Sequence, residues 1–178
     1  GYEVLTAASL SEGLAITIAS YLANETNCAN INLLHLTSRK AVEAALRMAK
    51  AFPHVNFRRE VTIAHLCLDY DTPVKALAKV NPPIRSRDDV EFLWKTLLDG
   101  KLDWICSDHA CCKYEMKLGK EDKNDIFQAS RDSAAPNSCF RRLSPWAGRA
   151  ASATTAWQSS SLTMPRNVSG SGARATLH

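Results

Sequence analysis

The sequence predicts an α/β fold of about four βα units with parallel strands. Short, largely apolar runs that suit buried strands alternate with segments of helical period, in the order helix, strand, helix, strand, short helix, strand, helix, strand. The strand signals fall near residues 31, 55, 78 and 102. Polar residues that can carry chemistry, His35, His65 and Asp108, stand at or just beyond strand ends, and in parallel sheets and barrels that edge is where sites are built. A closed (β/α)8 barrel of the TIM type takes eight strands and roughly 250 residues. The pattern therefore matches a partial barrel, about half of one; a complete small open α/β sheet fits the same alternation.

Each element has its own signal. Gly1–Ser9 carries none. A helix is expected from about Ser11, with Leu14, Ile18, Tyr21 and Leu22 on one apolar face. Asn24–Asn30 is a polar turn, and Ile31–Leu36 (I-N-L-L-H-L) is a strand. Thr37 or Ser38 caps the next helix, whose face is Val42, Ala45, Leu46 and Ala49 and which Pro53 ends. Val55–Thr62 is a less apolar strand with Arg59 and Glu60 near its end and His65 just beyond. Asp69, Asp71 and Pro73 lead to a short helix around Val74–Leu77, and Ala78–Val80 reads as a strand running into Asn81-Pro82-Pro83. Ser86 caps a helix with Asp89 three residues on, a variant of the capping box. Val90, Leu93, Trp94 and Leu97 make its apolar face, and Gly100 stops it. Leu102–Cys106 is a strand that delivers Asp108-His109, two groups costly to place there unless something binds them.

The chain has 178 residues, 46% of them apolar and 22% charged, enough for one globular domain with a real core. No stretch is long and apolar enough to span a bilayer, and Gly1-Tyr2-Glu3 lacks the basic start of a signal peptide, so a cytoplasmic location is expected. The six cysteines, Cys28, Cys67, Cys106, Cys111, Cys112 and Cys139, form no C-x-x-C pair and read as free thiols. The net charge of +4 comes from the last fifty residues, which hold six arginines against Asp132 alone; the remainder has sixteen bases against seventeen acids. The body offers no basic stripe for nucleic acid. Ala129–His178 has no lysine, no glutamate and no persistent period. It reads as an irregular tail, either disordered or translated out of frame.

Histidine and carboxylate together are the ligand set of zinc or a similar divalent ion. From spacing alone each of His35, His65 and Asp108 is a weak signal, since a histidine at a strand end is more often a hydrogen-bonded core or rim residue and Asp108 can cap a helix. His54, after Pro53, reads as a surface loop residue.

N-P-P-I-R at Asn81–Arg85, a helix carrying Leu93-Trp94, and a strand ending S-D-H-A at Ser107–Ala110 together resemble the cyclic-amide hydrolases of the amidohydrolase superfamily, the group that holds dihydroorotase, allantoinase, hydantoinase and dihydropyrimidinase. The resemblance covers about Leu10–Phe127. It implies that residues 1–128 are the C-terminal half of an amidohydrolase barrel, with 129–178 a tail. Codons for Arg131–Asn137 can be chosen so that a shifted frame spells a Gly-rich loop like the one with which the family follows D-I-F, here Asp125-Ile126-Phe127.

The same resemblance implies site residues. L-L-H-L-T-S at Leu33–Ser38 is similar to the family's fifth strand, making His35 a metal ligand. E-V-T-I-A-H-L-C-L at Glu60–Leu68 is similar to the sixth, making His65 the next ligand, although Ile63 and Ala64 replace the usual proline and its neighbour. Asp108 takes the place of the aspartate that is metal ligand and general acid/base. Asn81 takes a substrate-binding place, and His109 is placed against substrate. Many members read D-H-A-P-H where this chain reads D-H-A-C-C. The implied cofactor is a pair of divalent metals, zinc first; the implied partners are a small cyclic amide and further copies of the chain, with no nucleic acid and no membrane. The family's H-x-H and its metal-bridging lysine match nothing in the 178 residues. The chain by itself is therefore expected to be inactive. A non-catalytic scaffold that keeps the fold is the second reading, and an unrelated small α/β binding domain the third.

Overall fold

The computed structural model describes residues 3–73, 75–110, 113–118, 125 and 127–131. Three parallel strands form one small sheet among them: β1 (Asn30–Leu33), β2 (Asn56–Thr62) and β3 (Trp104–Cys106), in the order β1-β2-β3. Ile31 lies opposite Phe57, and Glu60 lies opposite Trp104. The α/β class and the parallel sheet match the sequence reading. No helix of the described residues is long and apolar enough to cross a membrane.

The helices with both a cap and a period form as the sequence predicts. In α2 (Arg39–Ala51) the Ser38 hydroxyl accepts the Ala41 N–H, while Val42 and Ala45 are fully buried. In α4 (Arg87–Leu98) Ser86 accepts the Asp89 N–H at 3.2 Å and donates to the Asp89 carboxylate at 2.7 Å. Val90, Leu93, Trp94 and Leu97 are all buried, and the Trp94 indole donates to the Leu66 carbonyl at 2.7 Å. Gly100 stops the helix at a φ of 69°, a left-handed turn that glycine takes at little cost. These faces pack on Leu33, Phe57 and Val61 of the sheet to make one core.

Two predicted elements need correction. Ala78–Val80 is not a strand: Lys75–Ala78 is a 3-10 turn, the chain then runs irregularly to Arg85, and β2 pairs directly with β3. Pro82 and Pro83 have no N–H to give a ladder, and Ala78 and Val80, with Lys79 between them, do not outweigh that loss. The second correction concerns α1 (Glu3–Glu25), which starts well before Ser11. Its predicted apolar face is outside: Leu14, Ile18, Tyr21 and Leu22 are all more than half exposed. The buried face is Ile16, Ser20 and Ala23, with Gly13 close to α2. A Cβ at Gly13 would sit 3.5 Å from the Lys40 carbonyl oxygen and 3.7 Å from the Ala44 Cβ. α1 is apolar on more than one side, and the side with small residues wins the close helix contact.

The sheet's near edge is tied by charge. Asp103 accepts the Arg59 main-chain N–H and the Arg59 Nε, both at 2.8 Å, and Arg58 approaches at 3.3 Å. Burial pushes the Asp103 carboxyl up, but the Arg59 bonds and charge, with help from Arg58, hold it below the usual 3.8.

Two measurements check this architecture. Ile16→Ala should cost about 2–4 kcal/mol in urea unfolding, while Leu14→Ala should stay within about 0.5 kcal/mol; equal costs would mean α1 is turned as its period alone implies. A carboxyl whose folded-state value is depressed contributes stability above its unfolded value and loses it as pH falls through the folded one. The melting temperature of the wild type should therefore fall more steeply between about pH 5 and about pH 3 than that of Asp103→Asn.

Candidate active site

The predicted site residues gather at the C-terminal edge of the sheet. β1 ends at Leu33 and the chain turns at His35, whose φ of 38° lies in the left-handed region. β3 ends at Cys106, and Asp108 has a φ of 44°. Neither residue is glycine, so each conformation is costly and needs support from its surroundings. Because the strands are parallel, both turns stand at the same edge. His35 is half-buried; Asp108 and His109 are exposed, as is Asn81, which precedes Pro82 through a cis peptide bond.

His65 sits differently from its prediction. It is inside a one-turn helix, α3 (Ile63–Cys67), capped by Thr62, and it is buried to 3% exposure. Its Nε2 meets the Pro82 carbonyl at 3.0 Å and its Nδ1 meets the Thr62 hydroxyl at 2.6 Å. A carbonyl only accepts, so Nε2 carries the proton and Nδ1 accepts from Thr62. Burial pushes the imidazole down to about 4 against the bond to Pro82, with Arg85 and His35 adding to the fall, so the ring is neutral at pH 7.

With both ring nitrogens of His65 engaged, the described arrangement does not fit the paired-metal centre that the resemblance implies. Among the described residues, no group of three or more histidine, cysteine, aspartate and glutamate side chains is placed to hold a metal ion. Cys111 and Cys112, next to the site in sequence, lie outside the described residues.

No family model matches the chain. It is 30% identical over 126 residues to the allantoinase of Salmonella gallinarum, an alignment that covers 71% of this chain and 26% of that protein. The allantoinase of Salmonella newport matches over the same share. Among solved structures, a D-hydantoinase (dihydropyrimidinase) from Thermus sp. superposes with a TM-score of 0.61 at 20% identity, over 79% of this chain and 30% of that one. The dihydropyrimidinase of Brevibacillus agri gives 0.61 at 21%, over 72% and 28%. The chain belongs to the cyclic-amide hydrolase group of the amidohydrolase superfamily. It spans about a quarter of the length of the allantoinases it matches.

Within this cyclic-amide hydrolase relative, three residues support the site without having been singled out from sequence. Arg85, the last residue of N-P-P-I-R, is 2% exposed; its Nε donates to the Thr37 hydroxyl at 2.8 Å and its guanidinium lies 3.7 Å from Glu12. Glu12 accepts the Thr37 N–H at 3.0 Å, the Thr37 hydroxyl at 2.7 Å and the Ser38 hydroxyl at 3.2 Å. Burial raises the Glu12 carboxyl above 4.5 in spite of these bonds and of Arg85. The third is Lys117, in the short helix α5 (Tyr114–Lys117), which donates to the carbonyls of Lys79 and Ser130. It ties the segment after Asp108 to the segment before Asn81. The available signal was the one charged residue in the middle of α1, at Glu12, but its partners are 25 and more residues away.

Removing one partner of a buried pair leaves a charge without compensation, at about 3–5 kcal/mol. Arg85→Ala should lose that much in chemical denaturation, and Glu12→Gln in the same background should restore part of it. A second substitution that only adds to the loss would show that Glu12 does not depend on Arg85.

Proposed function

We propose that this chain carries part of the active site of a metal-dependent cyclic-amide hydrolase, with residues 1–128 belonging to the C-terminal half of a (β/α)8 barrel. The observation that carries the reading is the pair of left-handed strand-end residues, His35 and Asp108, on one edge of a parallel sheet in a chain related to allantoinases. The reaction opens a ring C–N bond. A water oxygen bonds to the amide carbon, the C–N bond breaks, and the proton lost by water passes to the leaving nitrogen. Asp108, an exposed carboxylate, is suited to carry that proton as general base and then general acid. Asn81 and His109 are assigned to substrate, a small cyclic amide of the allantoin and hydantoin type.

A divalent metal on His35, His65 and Asp108, zinc first, belongs to the same proposal, and it requires the His65 ring to leave Pro82. The protein is expected to be cytoplasmic and to self-associate. A non-catalytic relative is the second reading; what favours it is that Thr62 and Pro82 take both nitrogens of His65.

Elemental analysis of the purified chain beside Asp108→Ala separates the two. The hydrolase reading predicts near-stoichiometric zinc that drops at least about tenfold in the variant. No metal in either protein favours the scaffold. Because the family's H-x-H and bridging lysine match nothing in these 178 residues, the chain alone should not hydrolyse allantoin, hydantoin or dihydroorotate. Turnover of any of them would overturn that expectation.

A further inference from the structure

One side of α1 is apolar and open to water. Leu10, Leu14, Ile18 and Leu22 stand four apart along it and are 53% to 66% exposed, with Tyr21 beside them at 55%. Between Leu10 and Asn24 the sole charge is Glu12, and it turns the other way, to Thr37 and Arg85. Five such side chains present on the order of 500 Å² of apolar surface, as much as the largest patch on a typical monomer. A helix that lies in a lipid surface carries lysine and arginine on its polar face, and α1 has neither.

The ridge is complementary to itself. Read in either direction it is four branched aliphatic side chains of nearly equal size. A two-fold axis at the level of Ile16 therefore brings Leu10 of one copy beside Leu22 of the other, and Leu14 beside Ile18. Ser11, Ala15 and Ala19 form a row of small side chains next to the ridge, a groove into which the ridge of a second copy can pack. The flanking charges set the direction. α1 and α2 run side by side the same way, with Gly13 against Lys40 and Ala44 and the Tyr21 ring 5.1 Å from that of Phe52. Lys40 thus stands at the N-terminal half of the ridge, where it lines an open groove with Leu10 and Leu14, and Glu25 ends the helix. Antiparallel copies bring Glu25 of each toward Lys40 of the other, whereas parallel copies would set two Glu25 carboxylates together.

We propose that the open side of α1 docks a second copy of this chain, the two α1 helices packing antiparallel about a two-fold axis. The pair would bury about 1,000 Å² in total, the low end for a specific interface, so association is reversible and depends on concentration. The inference gives a surface to the self-association expected under the hydrolase reading and rests on that reading only for the expectation that copies associate.

Sedimentation velocity on the full 178-residue chain, from about 1 to about 200 µM, tests it. The wild type should pass from monomer to dimer across that range. Leu14→Glu and Ile18→Lys should each weaken association at least about tenfold. The double variant should regain it, because opposite charges then meet across the axis. Leu98→Glu, at an exposed position of α4, should associate as the wild type does. A wild type that stays monomeric leaves the face to another partner and overturns the proposal. A dimer that survives both single variants also overturns it but leaves self-association standing, and zinc content tests the hydrolase reading separately. Equal weakening by Leu98→Glu, or a double variant that stays monomeric, counts against the proposal too. Circular dichroism of each variant checks its fold. Where one single variant does not fold the other decides, and loss of the fold in both would mean that the ridge faces inward.

Discussion

A guanidinium buried to 2% exposure has five donors that water cannot serve, so Arg85 obliges the chain to bring it acceptors. The acceptors come from far away in sequence. Thr37 belongs to the connection between β1 and α2, and Glu12 belongs to α1. Thr37 serves twice: its hydroxyl accepts from Arg85 and donates to Glu12. Three segments that could each drift are thereby fixed at one point. His35 is two residues before Thr37, and Pro82, which takes the His65 ring, is three before Arg85. The turn at one strand end and the loop beside it share this single anchor.

What the sequence revealed followed from how local each signal is. In α2 and α4 the cap, the period and the stop all lie within about a dozen residues, and the structure has them where the pattern put them. β2 and β3 were visible because apolar runs there have turn signals on both sides. α1 was visible as a helix but not as an oriented one. A period finds a stripe; which stripe faces inward depends on how near α2 can come, and Gly13 opposite Lys40 and Ala44 decides that. The strand expected at Ala78–Val80 failed for a similar reason, since so short a run becomes a strand only if a neighbour can pair with it, and here β3 already occupies the edge of β2.

The site was legible by residue type and illegible by partner. His35, His65 and Asp108 are polar residues at or just beyond strand ends, each a weak signal until the resemblance is added. Sequence could not show that Thr62, the residue that caps α3, would also hold the His65 ring, or that a proline carbonyl 17 residues on would take its other nitrogen. The strand that carries Glu60 was read correctly, but its acid was placed only near the strand's end and given no role. Its meaning comes only from β3, 44 residues later, which sets the Trp104 indole against it.

These partners also explain how the edge holds the strained turn at His35. A left-handed non-glycine costs on the order of 1–3 kcal/mol, and a typical hydrogen bond returns about 0.5–1.5 kcal/mol, more when one group is charged. At His35 the main-chain N–H has a carboxylate, and the next N–H, that of Leu36, has the Glu60 carbonyl. The bonds are of the same order as the strain they oppose, so the turn is held without a large surplus.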